Sequence, residues 1–146
     1  MTQIAPVEMR QRVEALQREV AQFEQYEPPT VHTFHGGMYC REVTQAAGSL
    51  VVGKVHLKDH LFVLLRGTML VTSGDEAREM TAPAMLCSVP GTKRALYAVT
   101  DALYMTVHAT TLTSVEEVEA LVVEADPASP FMVGNKLKRE ELTCHS

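Results

Sequence analysis

The sequence has 146 residues, of which 46% are hydrophobic and 21% charged, and its formal net charge is −5 at pH 7. A chain of this length and composition fits one globular domain with a single core rather than a disordered or fibrous protein. The acidic balance argues against nucleic-acid binding, because phosphate contacts require a concentrated surface of lysine and arginine.

Two further classes are disfavoured by local patterns. No apolar run approaches the ~20 residues of a membrane span, and acidic residues interrupt the N-terminal stretch where a signal peptide needs an apolar region. We therefore expect a cytoplasmic protein without a membrane partner. Cys40, Cys87 and Cys144 are odd in number and widely spaced, which argues against a disulfide framework or a zinc knuckle.

Residues 1–30 predict an amphipathic helix followed by a Pro-Pro linker. Pro6 suits a first helical position, and apolar residues then recur at alternating steps of 4 and 3. This seam, our candidate oligomer contact, consists of Met9, Val13, Leu16, Val20 and Phe23. The seam either docks on the rest of its own chain or joins two copies, since so short a helix needs burial in both cases.

Residues 31–112 predict a β domain. Short β-prone runs alternate with Gly, Pro and Asp turn residues, and no helical period lies between the runs. Closely spaced strands without crossover helices indicate an antiparallel sandwich or barrel. The nine predicted strands are Val31–Phe34, Met38–Val43, Leu50–Val55, Leu61–Leu65, Met69–Thr72, Ala77–Thr81, Met85–Val89, Arg94–Val99 and Leu103–Ala109.

Residues 113–146 predict a short helix and an arm. Ser114 is a suitable N-cap for a helix over Val115–Glu124, and Asp126-Pro127 closes it. The stretch from Ala128 onward is short and mixed in charge, which is typical of an arm or a frayed end.

The segment 48–67 carries the candidate site. Its β-prone runs flank a polar break at Lys58-Asp59, which predicts a hairpin. In such a hairpin His56 and His60 form a cross-strand pair with Cβ atoms roughly 5 Å apart. Lys54 precedes His56 by two residues and is predicted to share its face.

These residues resemble the first motif of the cupin superfamily, which reads Gly, five residues, His-x-His, three or four residues, Glu, six residues, Gly. The residues that fall on this spacing are Gly48, Lys54, His56, His60 and Gly67. The second motif ends in Pro-x-Gly, two residues, His, and the segment 89–94 matches it loosely with Arg94 at the final position. The resemblance implies an all-β dominated fold, a cupin-type jelly-roll β-barrel with an N-terminal amphipathic helix and a short C-terminal helix.

The resemblance also implies a changed ligand set. Metal-dependent cupins hold the ion with three His and one Glu, and the matching positions here are Lys54, His56, His60 and Arg94. Protonated Lys and Arg have no lone pair for a cation. His56 and His60 are then the only candidate ligands for a divalent metal, and two are fewer than zinc or iron requires.

His108 is not expected to complete the set. In the last predicted strand the apolar residues Leu103, Met105 and Val107 take the inward parity, which leaves His108 on the other face.

The same cluster also predicts an anion site. Lys54 and Arg94 would face His56 and His60, and buried positive charges are costly without a counter-charge. Either the cluster is open to solvent or an anion occupies it, and for the second case we name Lys54, His56, His60 and Arg94 as candidate ligand-binding residues.

A narrower resemblance is to small cupin-like proteins of tailed bacteriophages, carried by residues 34–42, 53–56 and 90–97. It implies a virion-associated or accessory role. We expect a non-enzymatic, self-associating structural or binding protein, whose partners are a second copy and virion or host proteins. The alternatives are a metal-dependent enzyme for a small polar or anionic substrate, with a divalent metal cofactor, and a small-anion sensor.

Overall fold

The computed structural model describes residues 6–20, 25–73 and 76–138. The described part has helices α1 (Pro6–Val20) and α2 (Val115–Val122). Its strands are β1 (Thr30–His35), β2 (Met38–Gln45), β3 (Leu50–Val52), β4 (His60–Arg66), β5 (Thr68–Ser73), β6 (Glu76–Thr81), β7 (Ala84–Ser88), β8 (Ala95–Ala98), β9 (Ala102–Ala109), β10 (Phe131–Met132) and β11 (Lys136–Leu137). No helix in these ranges is long and apolar enough to cross a membrane.

The strands form two antiparallel sheets, in the orders β1-β2-β9-β4-β7 and β3-β8-β5-β6. Their inner faces share one apolar core, which includes Val43, Phe62, Leu64, Met69, Val71 and Tyr104. All nine predicted strands are present, and the predicted jelly-roll architecture with two flanking helices is confirmed.

The predicted hairpin around Lys58-Asp59 is wrong. β3 pairs with β8, whereas β4 pairs with β7 and β9 in the other sheet. The chain between them crosses from sheet to sheet, because its backbone bonds to the loop before β8 instead of to β4. The bonds are Gly53 N to Arg94 O and His56 N to Thr92 O, both 2.9 Å.

The seam of α1 docks on its own barrel. Val13 is buried with Val52 and Ala95, and Met9, Leu16 and Val20 pack around them. Phe23 lies outside the described residues. Of the two alternatives for the seam, docking on its own chain is therefore the one that the structure shows. Self-association through the seam stays a prediction.

α2 begins at the predicted cap, Ser114, but ends two residues earlier than predicted. The chain turns into extended backbone at Val123, which forms an isolated β-bridge with His56. The next amide, Glu124 N, donates to Val55 O at 2.8 Å. These bonds replace the last helical turn, and they fix the segment that carries His56.

The C-terminal stretch packs as far as residue 138, so the prediction of an arm or frayed end is wrong for this part. Asp126 accepts a hydrogen bond from the buried Lys93 at 2.8 Å and from Gln17 of α1 at 3.2 Å. The short hairpin β10–β11 follows, and its Phe131 is buried. This stretch forms one wall of the cavity described next.

Candidate functional site

A cavity of about 70 Å³ lies between the two sheets, below α2 and β10. Its apolar walls include Val43, Phe62, Leu96 and Phe131. Its polar lining consists of Arg41, Lys54, His56, His60, Thr92, Arg94, Tyr104, Thr106, Glu119 and Asn135. The predicted set of Lys54, His56, His60 and Arg94 is thus brought together around one cavity.

Three histidines form a cluster beside this cavity, and two of them, His56 and His60, line it. His60 is the first residue of β4, and the β4–β9 pair Leu61–Val107 places His108 opposite it. His56 comes from the crossing segment, which bonds to Thr92 on one side and to Val123 on the other. One nitrogen of each ring lies within 4.8 Å of the others.

The rings are in close contact. The centroids of His56 and His60 are 4.1 Å apart, those of His60 and His108 4.6 Å, and those of His56 and His108 5.4 Å. His56 Nδ1 lies 3.3 Å from His108 Nε2, and His60 Nδ1 lies 3.2 Å from the carbonyl oxygen of Lys58.

Burial keeps these imidazoles neutral. It lowers the pKa of His56 to about 2, with further contributions from the charges of His60 and Arg41. It lowers the pKa of His108 to about 3, with further contributions from His60 and Arg41. The pKa of His60 is also lowered, chiefly by burial. Neutral imidazole is the form that binds metals.

The inward parity predicted for β9 is wrong. Tyr104, Thr106 and His108 are buried, while Leu103 and Met105 face outward and are only half-buried. The inner face here lines a polar cavity, and the outer face of the sheet is apolar, so the usual alternation is inverted.

Sequence reasoning also missed Arg41 and Glu119. Arg41 lies two residues from each of the buried Tyr39 and Val43 along β2. Residues two apart in a strand share a face, so the sequence could have placed Arg41 on the inner face. Glu119 accepts hydrogen bonds from Gly134 N at 3.2 and 3.1 Å. Its position depends on how α2 packs over the barrel, for which the sequence carries no signal.

Each cation of the lining is partly desolvated or incompletely bonded. Burial lowers the pKa of Lys54 and of Arg94. Arg94 Nη1 donates to Thr72 O at 2.6 Å. Arg41 Nη1 lies 4.0 Å from Glu119 Oε1, which is too long for a hydrogen bond.

Comparisons with known proteins agree on the architecture. No family model matches the chain, and no curated protein does. Among solved structures, a cupin superfamily protein from Desulfitobacterium hafniense matches with a TM-score of 0.51 and 12% identity over 62% of this chain and 87% of that chain. The fold is that of the cupins.

Two further cupin-fold matches are similar in quality. KdgF from Halomonas sp. has a TM-score of 0.52 and 14% identity, over 62% of this chain and 87% of that chain. A variant of salicylate 1,2-dioxygenase from Pseudoaminobacter salicylatoxidans has a TM-score of 0.51 and 12% identity, over 68% of this chain and 32% of that chain. At such identities the likeness shows the cupin fold alone.

The donor set fits a divalent transition metal. Imidazole suits zinc, iron, nickel and copper, and ligands about 2.1 Å from a tetrahedral ion lie about 3.4 Å apart. The 3.3 Å between His56 Nδ1 and His108 Nε2 matches that spacing. It also fits an N–H···N hydrogen bond between the two rings, and a metal measurement distinguishes these two states.

Proposed function

We propose that this cupin-fold chain binds one divalent transition-metal ion through His56, His60 and His108 and acts on a small polar molecule in the cavity. The observation that carries the proposal is the cluster of three neutral imidazoles, His56, His60 and His108, with one nitrogen of each within 4.8 Å of the others, beside a cavity that His56 and His60 line. An incomplete metal site was expected, because Lys54 and Arg94 stand where metal-dependent cupins have two of their metal ligands. His108 supplies a third donor from a strand outside both motifs.

The protein itself orients the donors. His60 Nδ1–H can donate to the carbonyl oxygen of Lys58 at 3.2 Å, which leaves Nε2 of His60 with its lone pair free. The bridge between His56 and Val123 fixes the backbone beside the second ring. A bound ion would supply Lewis acidity toward a polar group in the cavity, and the apolar walls around Phe62 and Phe131 would exclude water from it.

The first prediction concerns metal content. Purified protein, loaded with zinc, iron, copper or nickel and then desalted, should retain about one equivalent of one of these metals. His108→Ala should weaken metal affinity by more than about 100-fold, because removal of an outer-sphere partner alone costs up to that much. Elemental analysis of the desalted proteins is the measurement.

His35→Ala is the matched control, since His35 is exposed at the end of β1 and should leave metal content unchanged. Thermal unfolding shows whether the His108 variant is folded, and His56→Gln gives a second test if it is not. Wild-type protein that retains none of the four metals would contradict the proposal.

A second candidate function, self-association in an assembly, is favoured by the outer face of the five-stranded sheet. This face exposes apolar side chains on β1, β4 and β7, namely Val31, Leu61, Leu65 and Met85. Exposed apolar patches often mark protein–protein contacts. The phage-encoded, virion-associated part of this role stays a prediction, because the comparisons give no support to a phage-specific resemblance.

The second prediction tests self-association. Light scattering coupled to size exclusion should give a multiple of the 16.1 kDa chain mass, and Met85→Glu should shift the population toward the monomer. Leu121→Glu is the control, since Leu121 is 45% exposed on α2, away from the sheet face. A wild-type monomer at high concentration would remove this candidate.

A further inference from the structure

Two arginines at the cavity, both half-buried, each have a buried N–H group without an acceptor. Arg41 Nε and Arg94 Nε are buried and have no hydrogen-bond partner among the described residues. Buried polar groups are almost always hydrogen-bonded, and an unsatisfied donor is costly. Both side chains line the cavity that His56 and His60 also line.

A third unsatisfied group lies on the same cavity. The Thr106 hydroxyl is buried without a partner among the described residues. Thr106 lies on the inner face of β9, the same face as His108. Two guanidinium donors and a hydroxyl thus surround one small space. A hydroxyl can donate or accept, so a ligand with several oxygen atoms would satisfy all three.

The charges of the lining give the sign of that ligand. Arg41, Lys54 and Arg94 are formally cationic, and Glu119 is the carboxylate among the described lining residues. Both oxygens of Glu119 already share the one N–H of Gly134, at 3.2 and 3.1 Å. Three cations against one carboxylate leave two positive charges uncompensated.

We propose that the cavity binds a compact dianion, a small dicarboxylate or phosphate, through the Nε–H groups of Arg41 and Arg94. Guanidinium groups bind such oxyanions with strong, directional hydrogen bonds. The volume of about 70 Å³ limits the ligand to the space of roughly five waters. This inference rests on the proposed function, since it names the ligand class of the same cavity, but the contacts come from the chain itself.

The test is calorimetric titration of the full chain with malonate, with phosphate and with malonamide, the neutral analogue of malonate. Each titration is done on chelator-treated protein and on zinc-loaded protein. We expect malonate or phosphate to bind saturably to the chelator-treated protein, and malonamide not to bind. The stronger of the two dianions identifies the carboxylate or the phosphate class.

Arg41→Gln and Arg94→Gln should each weaken that binding about tenfold or more, the value of a charge-assisted hydrogen bond. Arg78→Gln, on the exposed face of β6, is the matched control and should leave binding unchanged. Arg94 also bonds to Thr72, so Arg94→Gln can impair folding. If a Gln variant shows no cooperative unfolding transition, Arg41→Lys or Arg94→Lys, which keeps the charge, is used in its place. They should bind more weakly than wild type.

Three results would overturn the inference: neither dianion binds, malonamide binds as well as malonate, or the arginine variants bind like wild type. The two proposals fail separately. Dianion binding without retained metal contradicts the proposed metal function alone, whereas retained metal without dianion binding contradicts this inference alone.

Discussion

Gly67→Ala should strongly destabilise the fold, because residue 67 has no room for a side chain. Its φ is +89°, and an added Cβ would overlap the carbonyl oxygen of Asp101 and lie 3.0 Å from Ala102 Cα. The neighbouring backbone is held by Val99 N donating to Thr68 O at 2.9 Å, so it cannot move aside freely. We expect a loss of roughly 3 kcal/mol or more in the free energy of unfolding, from backbone strain and overlap together.

Gly37→Ala separates these two contributions. Gly37 also has a positive φ, +77°, but nothing lies within 4 Å of an added Cβ. It should therefore lose only about 1 kcal/mol, the cost of the backbone conformation. Denaturant unfolding of both variants gives the comparison, and equal losses would contradict the overlap at Gly67.

Asp126→Asn should also cause a large loss in the free energy of unfolding, because it removes the counter-charge of a buried lysine. Lys93 is 1% exposed, and its Nζ lies 2.8 Å from Asp126. Breaking such a pair from one side costs about 3 to 5 kcal/mol, since the remaining charge is uncompensated. The pair also joins the loop before β8 to the C-terminal wall of the cavity. The variant should therefore unfold at a lower denaturant concentration and bind ligands in the cavity more weakly.

The double variant Lys93→Met with Asp126→Asn is the control. Removal of both charges avoids the buried unpaired ammonium, so the double variant should be more stable than Asp126→Asn alone. If the single and double variants unfold at the same denaturant concentration, the ion pair does not stabilise the fold.

The same pair predicts how stability depends on pH. Burial acts to raise the pKa of Asp126, but hydrogen bonds from Lys93 and Gln17 outweigh it and lower the pKa below 3.8. A group with a lowered folded pKa stabilises fully above its unfolded value, and this contribution is lost as the pH falls through the folded pKa. Wild-type stability should therefore fall below about pH 4. Asp126→Asn should show a flatter acid profile.

Sequence reasoning predicted the fold well, because local signals determine it. Turn residues marked all nine strands, Pro6 and Ser114 marked the starts of the helices, and the cupin spacing indicated how the strands assemble. What local signals could not determine was the pairing of β3 and β4. Two adjacent β runs with a short polar break favour a hairpin, but bonds from Gly53 and His56 to the loop before β8 send the chain to the other sheet.

The site was predicted in part. Lys54, His56, His60 and Arg94 do line one cavity, since the motif spacing places them there. His108 was assigned to the wrong face because strand parity was judged from apolar residues, and in this barrel the inner face of β9 is the polar one. The inward position of Arg41 could have been predicted from the two-residue period of β2. The position of Glu119 at the cavity depends on how α2 packs on the barrel.

Whether the three imidazoles share one ion can be seen in an anomalous difference map from crystals grown with zinc. We predict one strong peak inside the barrel, about 2.1 Å from a nitrogen of each of His56, His60 and His108. A map without a peak between these rings, in crystals that hold zinc at other residues, would contradict the claim and leave a hydrogen-bonded histidine cluster in its place.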